Sequence, residues 1–283
     1  DLILKVSAPT GYWLIFKENG KGASFTAPEF LEGTPTVQPA TNPTRFGYNF
    51  GGWYTDAACT TQFVFGSVLT STTTVYAKWT EVEEANYIII IWKQNVNDCK
   101  NAADSAKTYD FAESVTLTGN VGSTVSTVTA SGSGDSRYAI VNGVNKQYTG
   151  FHLNRYDTNV TINNQGNAVV NVYYDRNLVT LTFQYRSNRE WVTQATMTGL
   201  YGQTLSQNGY TWPTILWWYD GYQGGNDRPY SGSGTRTTFL DAFILSDGAS
   251  SMTFYGFTGN GNNTVYFYKK DSVGTTYTEA THV

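Results

Sequence analysis

The chain has 283 residues, 16% aromatic and only 14% charged, with 28 Gly, 21 Tyr and a formal net charge of −4. That length predicts two or three units, each able to bury a core. The weak charge and the lack of a dense Lys/Arg cluster exclude nucleic acid as a partner, and the longest apolar run, Tyr87 to Trp92, is far short of the ~20 residues of a membrane helix.

In chain order, Tyr12 to Phe16, Asn19-Gly20 and Ala23 to Phe25 read as a hairpin, because Asn-Gly readily takes the positive φ of a tight turn. Val75-Tyr76-Ala77-Lys78-Trp79 follows a Thr-rich turn and reads as a closing strand. Glu81 to Asn86 is an acidic joint without turn residues. Asp98 to Ala106 has helix-compatible spacing and predicts one short helix or a long loop. Thr118 to Ser126 and Thr198 to Ser206 share the pattern T-G-x-x-G-x-T-x-S, an internal repeat. Val172-Tyr173-Tyr174-Asp175 and Val265-Tyr266-Phe267-Tyr268 echo the closing strand, with starting valines 97 and 93 residues apart. Between them Val179, Leu181, Phe183 and Tyr185 alternate with polar residues, as a half-buried strand requires. The expected fold is mostly β: three tandem β-rich units, 1–80, 81–178 and 179–283, in an elongated array.

The segment Asn42-Pro43-Thr44-Arg45-Phe46-Gly47-Tyr48-Asn49-Phe50-Gly51-Gly52-Trp53-Tyr54-Thr55-Asp56, ending in Thr74-Val75-Tyr76-Ala77-Lys78-Trp79-Thr80, resembles the internalin B-type, or Listeria/Bacteroides, repeat. Phe46 departs from that family's pattern, where a polar or charged residue is usual, and so does the Lys/Glu-rich turn at Lys17 to Lys21. In the second unit, Tyr148-Thr149-Gly150-Phe151 with Ala168 to Asn177 looks like the mucin-binding-type repeats of Gram-positive surface proteins. These resemblances imply β-grasp-like units in at least the first two positions, within wall-anchored adhesins whose targets are host glycoprotein or matrix. The motif's own aromatics, Tyr48, Phe50, Trp53 and Tyr54, read as core, since a unit this small must bury its large residues.

Catalytic constellations are not evident. The histidines are His152 and His282, and no G-x-S-x-G, H-E-x-x-H or phosphate-cradling loop occurs. Cys59 and Cys99 lack zinc or redox spacing and read as unpaired small hydrophobes, with a disulfide as the alternative. Lys78 and Lys93 lie in predicted strands, without an identifiable acceptor for an isopeptide crosslink. From the shared Thr to the closing valine is 54 residues in the second unit and 67 in the third. The surplus is placed in Tyr210 to Arg236, rich in aromatics and Gly. There Trp212, Trp217, Trp218, Tyr219 and Tyr222, with Asp220, Asn226, Asp227 and Arg228, form a candidate glycan site, aromatic faces stacking on sugar with polar groups alongside. The competing reading is that the tryptophans fill this unit's own core.

The expected function is therefore a non-catalytic, extracellular fragment of a bacterial cell-surface adhesin, monomeric, without cofactor or metal, binding a host glycoprotein, glycan or matrix. The alternatives are a carbohydrate-binding module in the third unit and an accessory part of a secreted enzyme.

Overall fold

The computed structural model describes residues 10–188, 190–213, 217–220, 239–257, 266–270 and 277–282; Trp217, Tyr219, Asp220, Phe257 and the two C-terminal strands are described by backbone alone. The protein is mostly β, 50% strand, in several separate sheets. Helix among the described residues is confined to four 3-10 turns.

The first sheet holds β1 (Tyr12–Lys17), β2 (Glu29–Leu31), β3 (Tyr48–Tyr54) and β4 (Thr73–Glu81), ordered β2-β1-β4-β3. The second takes β5 (Glu84–Gln94), β6 (Tyr109–Asn120), β10 (Phe151–Tyr156) and β11 (Ala168–Arg176), ordered β10-β11-β5-β6. Between its strands lies a small sheet of β7 (Val128–Ser131), β8 (Tyr138–Val141) and β9 (Val144–Lys146). The third has β12 (Leu178–Ser187), β13 (Glu190–Leu200), β14 (Trp217–Asp220) and β15 (Ser251–Phe257), ordered β13-β12-β15-β14. Counting each sheet's strands first to fourth along the chain, all three share the order second, first, fourth, third. First and fourth strands run parallel in the first and third sheets. The described chain falls into two compact units: one through Trp92 with Phe111–Thr129 and Arg155–Val172, the other Lys93–Asp110, Ala130–Asn154 and from Tyr173 onward.

Alternation builds the cores. Leu14 and Phe16 of β1 and Val75 and Ala77 of β4 are buried around Trp53. Val179, Leu181 and Phe183 of β12 are fully buried with Phe243 and Phe254. Each buried Val, Leu or Phe among them contributes about 1.5–3 kcal/mol relative to exposure.

Three expectations change. Asn19 does take a positive φ of 50°, but Ala23 to Phe25 forms no strand, and β1 pairs with β2 and β4 instead. The Asn19 amide donates to the carbonyls of Ala57 and Ala77, so this turn is tied across the sheet rather than closing a two-strand hairpin. Glu81 to Asn86 is not turn-free, since the chain bends at Glu83 between β4 and β5. Nor does Tyr266-Phe267-Tyr268 close the third sheet. It belongs to β16 (Tyr266–Lys270), which pairs with β17 (Tyr277–His282) in a separate hairpin, while β15 takes the fourth-strand position. Measured to that strand, 50 residues separate Thr118 from Ala168 of β11 and 53 separate Thr198 from Ser251 of β15, and the apparent surplus largely disappears. Asp98 to Ala106 resolves as a loop ending in one 3-10 turn, Asp104–Ala106.

The T-G-x-x-G-x-T-x-S repeat encodes one local structure twice. β6 and β13 both end at its third position, Asn120 and Leu200. The first glycine meets a packed side chain: a Cβ on Gly119 would lie 2.6 Å from Ile162, and one on Gly199 2.3 Å from Phe243. The second, Gly122 or Gly202, has φ of 84° or 88°, a conformation that favours glycine. Matching bonds follow, Gly122 N to Ile162 O and Gly202 N to Phe243 O, then Val125 N to Val160 O and Leu205 N to Asp241 O. A reduced copy follows β2: Gly33 has φ of 72°, Pro35 bridges Val68, and Thr36 N donates to Ser67 O.

Candidate functional site

The third sheet places the predicted glycan-site residues unequally. Trp218 is 3% exposed, its ring 5.1 Å from Phe183 and its indole N–H donating to the Pro213 carbonyl at 2.9 Å. Trp212 is half-buried and packs edge-on against Phe183, Phe254 and Phe239. Both rings are committed to the core of this sheet. Trp217, Tyr219 and Asp220 lie on β14, opposite Phe257, Tyr255 and Phe254 of β15. Tyr222, Asn226, Asp227 and Arg228 lie outside the described residues.

A polar centre that the sequence reading did not single out surrounds Asp175, only 5% exposed. Its carboxylate accepts from Lys107 Nζ at 2.6 Å, Tyr109 Oη at 2.7 Å and Asn154 Nδ2 at 2.9 Å, and Lys107 also reaches Asp104 at 2.5 Å. Burial pulls the Lys107 ammonium down, but its bonds to Asp104 and Asp175 outweigh this and hold it above the ordinary 10.5. Every strong acceptor here is matched by a donor, which makes the centre a structural clamp. The only sequence signal was Asp175 inside a run of buried strand positions.

His152 is equally placed. Its Nδ1 is 2.7 Å from Asn177 Oδ1, whose amide donates to the Asp135 carbonyl. Among the described residues no cluster of three metal-ligating side chains occurs. Cys59 and Cys99 are not disulfide-bonded to each other. The Lys78 and Lys93 ammonium groups sit over Tyr54 and Tyr148, at 4.9 and 3.7 Å from the ring centroids.

In the first sheet the motif is built around a bulge. Phe50 faces Trp79 and Trp53 faces Ala77, so Gly51 and Gly52 together oppose Lys78. In a regular strand Phe50 and Trp53, three apart, point to opposite faces; the extra residue turns both onto one core. Their rings lie 5.4 Å apart, with Phe50 5.6 Å from Trp79 and Phe16 4.7 Å from Trp53. Gly52, at φ of 103°, supplies the backbone conformation. Asp56, exposed at the end of the motif, takes the Thr60 and Thr61 amides and the Thr60 hydroxyl. Desolvation raises its carboxyl, and those hydrogen bonds together outweigh it, holding it below the ordinary 3.8. Of the four motif aromatics expected in the core, Phe50 and Trp53 lie there, whereas Tyr48 and Tyr54 are half-buried beneath the Arg45 and Lys78 cations.

No curated protein matches the chain. The stretch from residue 12 to 78, which holds the bulge and the Thr-Val-Tyr-Ala-Lys part of β4, matches the Listeria-Bacteroides repeat domain, a repeat found in surface proteins.

Proposed function

We propose that the chain is a non-catalytic, extracellular fragment of a bacterial cell-surface adhesin, in which three β-rich units in tandem, 1–80, 81–178 and 179–283, β-grasp-like in at least the first two, display a binding surface to a host glycoprotein, glycan or matrix component. The observation that supports it most is the common strand order of the three sheets, second, first, fourth, third, together with the glycine turn after each second strand. Repetition of one architecture along a chain is how extended binding surfaces are built. The surface-protein repeat at 12–78 supports the location, and a mucin-binding-type second unit in a wall-anchored protein extends the same reading.

Two measurements test it. Small-angle scattering is expected to give a maximum dimension well beyond that of a sphere of this mass, and a globular profile counts against the tandem array. Beads coated with the chain are expected to be retained under flow on mucin- or matrix-coated surfaces more than beads coated with an unrelated β protein. Equal retention removes the adhesive reading.

A further inference from the structure

Beside the motif of the first sheet lies a cleft of about 350 Å³ lined by Lys21, Gly22, Arg45, Phe46, Tyr48 and Gln165. That size is at the lower end for small-ligand sites and suits one sugar ring. Arg45 is held rather than free. Its guanidinium lies 3.7 Å over the Tyr48 ring, and its Nε donates to the Lys21 carbonyl at 3.3 Å. Gly20 leaves it room, since a side chain there would come within 2.8 Å of Nη1. Among the described residues neither Arg45 nor Lys21 has a carboxylate within ion-pair distance. Phe46, next to Arg45, is 73% exposed. The Gln165 amide donates to the Phe46 carbonyl at 3.3 Å and lines the same cleft.

A pre-oriented guanidinium without a carboxylate partner among the described residues, a second cation, an exposed aromatic face and an amide are the complement of a planar anion carried on a ring with an apolar face. Arg presents a fork matched to carboxylate, and an exposed large aromatic beside it offers a stacking surface. The net charge of −4 disfavours a polyanion, which needs a broad basic field; two cations fit a single charge. We propose that this cleft binds one carboxylate-bearing pyranose, a uronic-acid-type residue of a glycan. The proposal deepens the adhesive reading and rests on it for biological meaning, while the binding itself is independent of adhesion.

The test uses the whole chain and two sugars that differ in one group, methyl glucuronide and methyl glucoside, followed by amide-resolved NMR titration. The glucuronide is expected to shift the amides of residues 45–48 and the Gln165 side chain, weakening as salt rises, and the glucoside to leave them in place. Phe46→Ala and Lys21→Gln, both at exposed positions, are each expected to weaken binding by about fivefold, roughly 1 kcal/mol, with unchanged melting temperature. Equal binding of the two sugars, no shifts with either, or shifts confined to other residues overturns the proposal. Equal binding of acetate or of an acidic peptide overturns it too, by removing the role of the ring. If the glucuronide binds as expected but coated beads fail to adhere, the cleft stands and the adhesive reading falls.

Discussion

The Gln203 side-chain amide donates to the Asp98 carbonyl at 2.8 Å, 105 residues away in the chain, and to the Val96 carbonyl at 2.9 Å. Its own oxygen accepts from Leu200 N and Asn208 Nδ2. One side chain of the repeated turn therefore fastens the 95–108 loop, and Lys100 reaches back to Thr198 O at 2.8 Å and to Tyr210 Oη at 3.3 Å. Hydrogen bonds from Thr198 and Lys100 hold the Tyr210 hydroxyl below its ordinary 10.0.

Gln203→Ala is expected to destabilise the protein by about 2–4 kcal/mol, because it strips partners from several buried polar groups at about 1–3 kcal/mol each. Urea unfolding measures this. A loss below about 0.5 kcal/mol, the range of ordinary surface substitutions, would show that the loop is held by other contacts.

Gly199→Ala drives a methyl to 2.3 Å from the Phe243 ring, and the expected loss is about 1–3 kcal/mol, the usual result of overpacking. Phe243→Leu in the same chain should recover part of it. A double-mutant cycle with no coupling between the two would contradict the close approach as the reason for that glycine.

Lys107 gives stability a defined alkaline dependence. Its folded pKa lies above the ordinary 10.5, so its contribution is complete below about 10.5 and is lost as pH rises through the folded value. Lys107→Met should flatten that alkaline loss. Asp175→Asn is expected to cost about 1–3 kcal/mol at neutral pH, since it removes the buried acceptor shared by Lys107, Tyr109 and Asn154 and leaves the half-buried ammonium only the exposed Asp104. Stability curves against pH for the three proteins decide both points.

Trp218→Ala is expected to cost about 3–5 kcal/mol, the range for a core aromatic. Trp217→Ala should leave the fold nearly intact, because its neighbour in β14 already fills the core side. Thermal melts with a glycan screen of both variants separate the roles. Equal unfolding by both, with no glycan bound by the parent chain, would end the third-sheet glycan reading.

Much of this architecture was legible in the residues. Alternation at Val179, Leu181 and Phe183 fixed which face of β12 is buried, because successive side chains of a strand point to opposite faces. The motif from Asn42 to Asp56 located its own core, since glycines and large aromatics in so short a span have few other uses. The T-G-x-x-G-x-T-x-S repeat marked a turn whose two glycines each have a local reason. Strand pairing was the part that stayed hidden. Ala23 to Phe25 and Val265 to Tyr268 have the residues of strands, yet which strand they meet depends on partners far along the chain. The Gln203–Asp98 link and the Asp175 clamp were equally invisible, because a buried hydrogen bond is specified by where two distant segments lie and not by either segment alone. The cleft beside Arg45 belongs to the same class: sequence supplied its aromatic and its cations, and only tertiary folding brought Gln165 beside them.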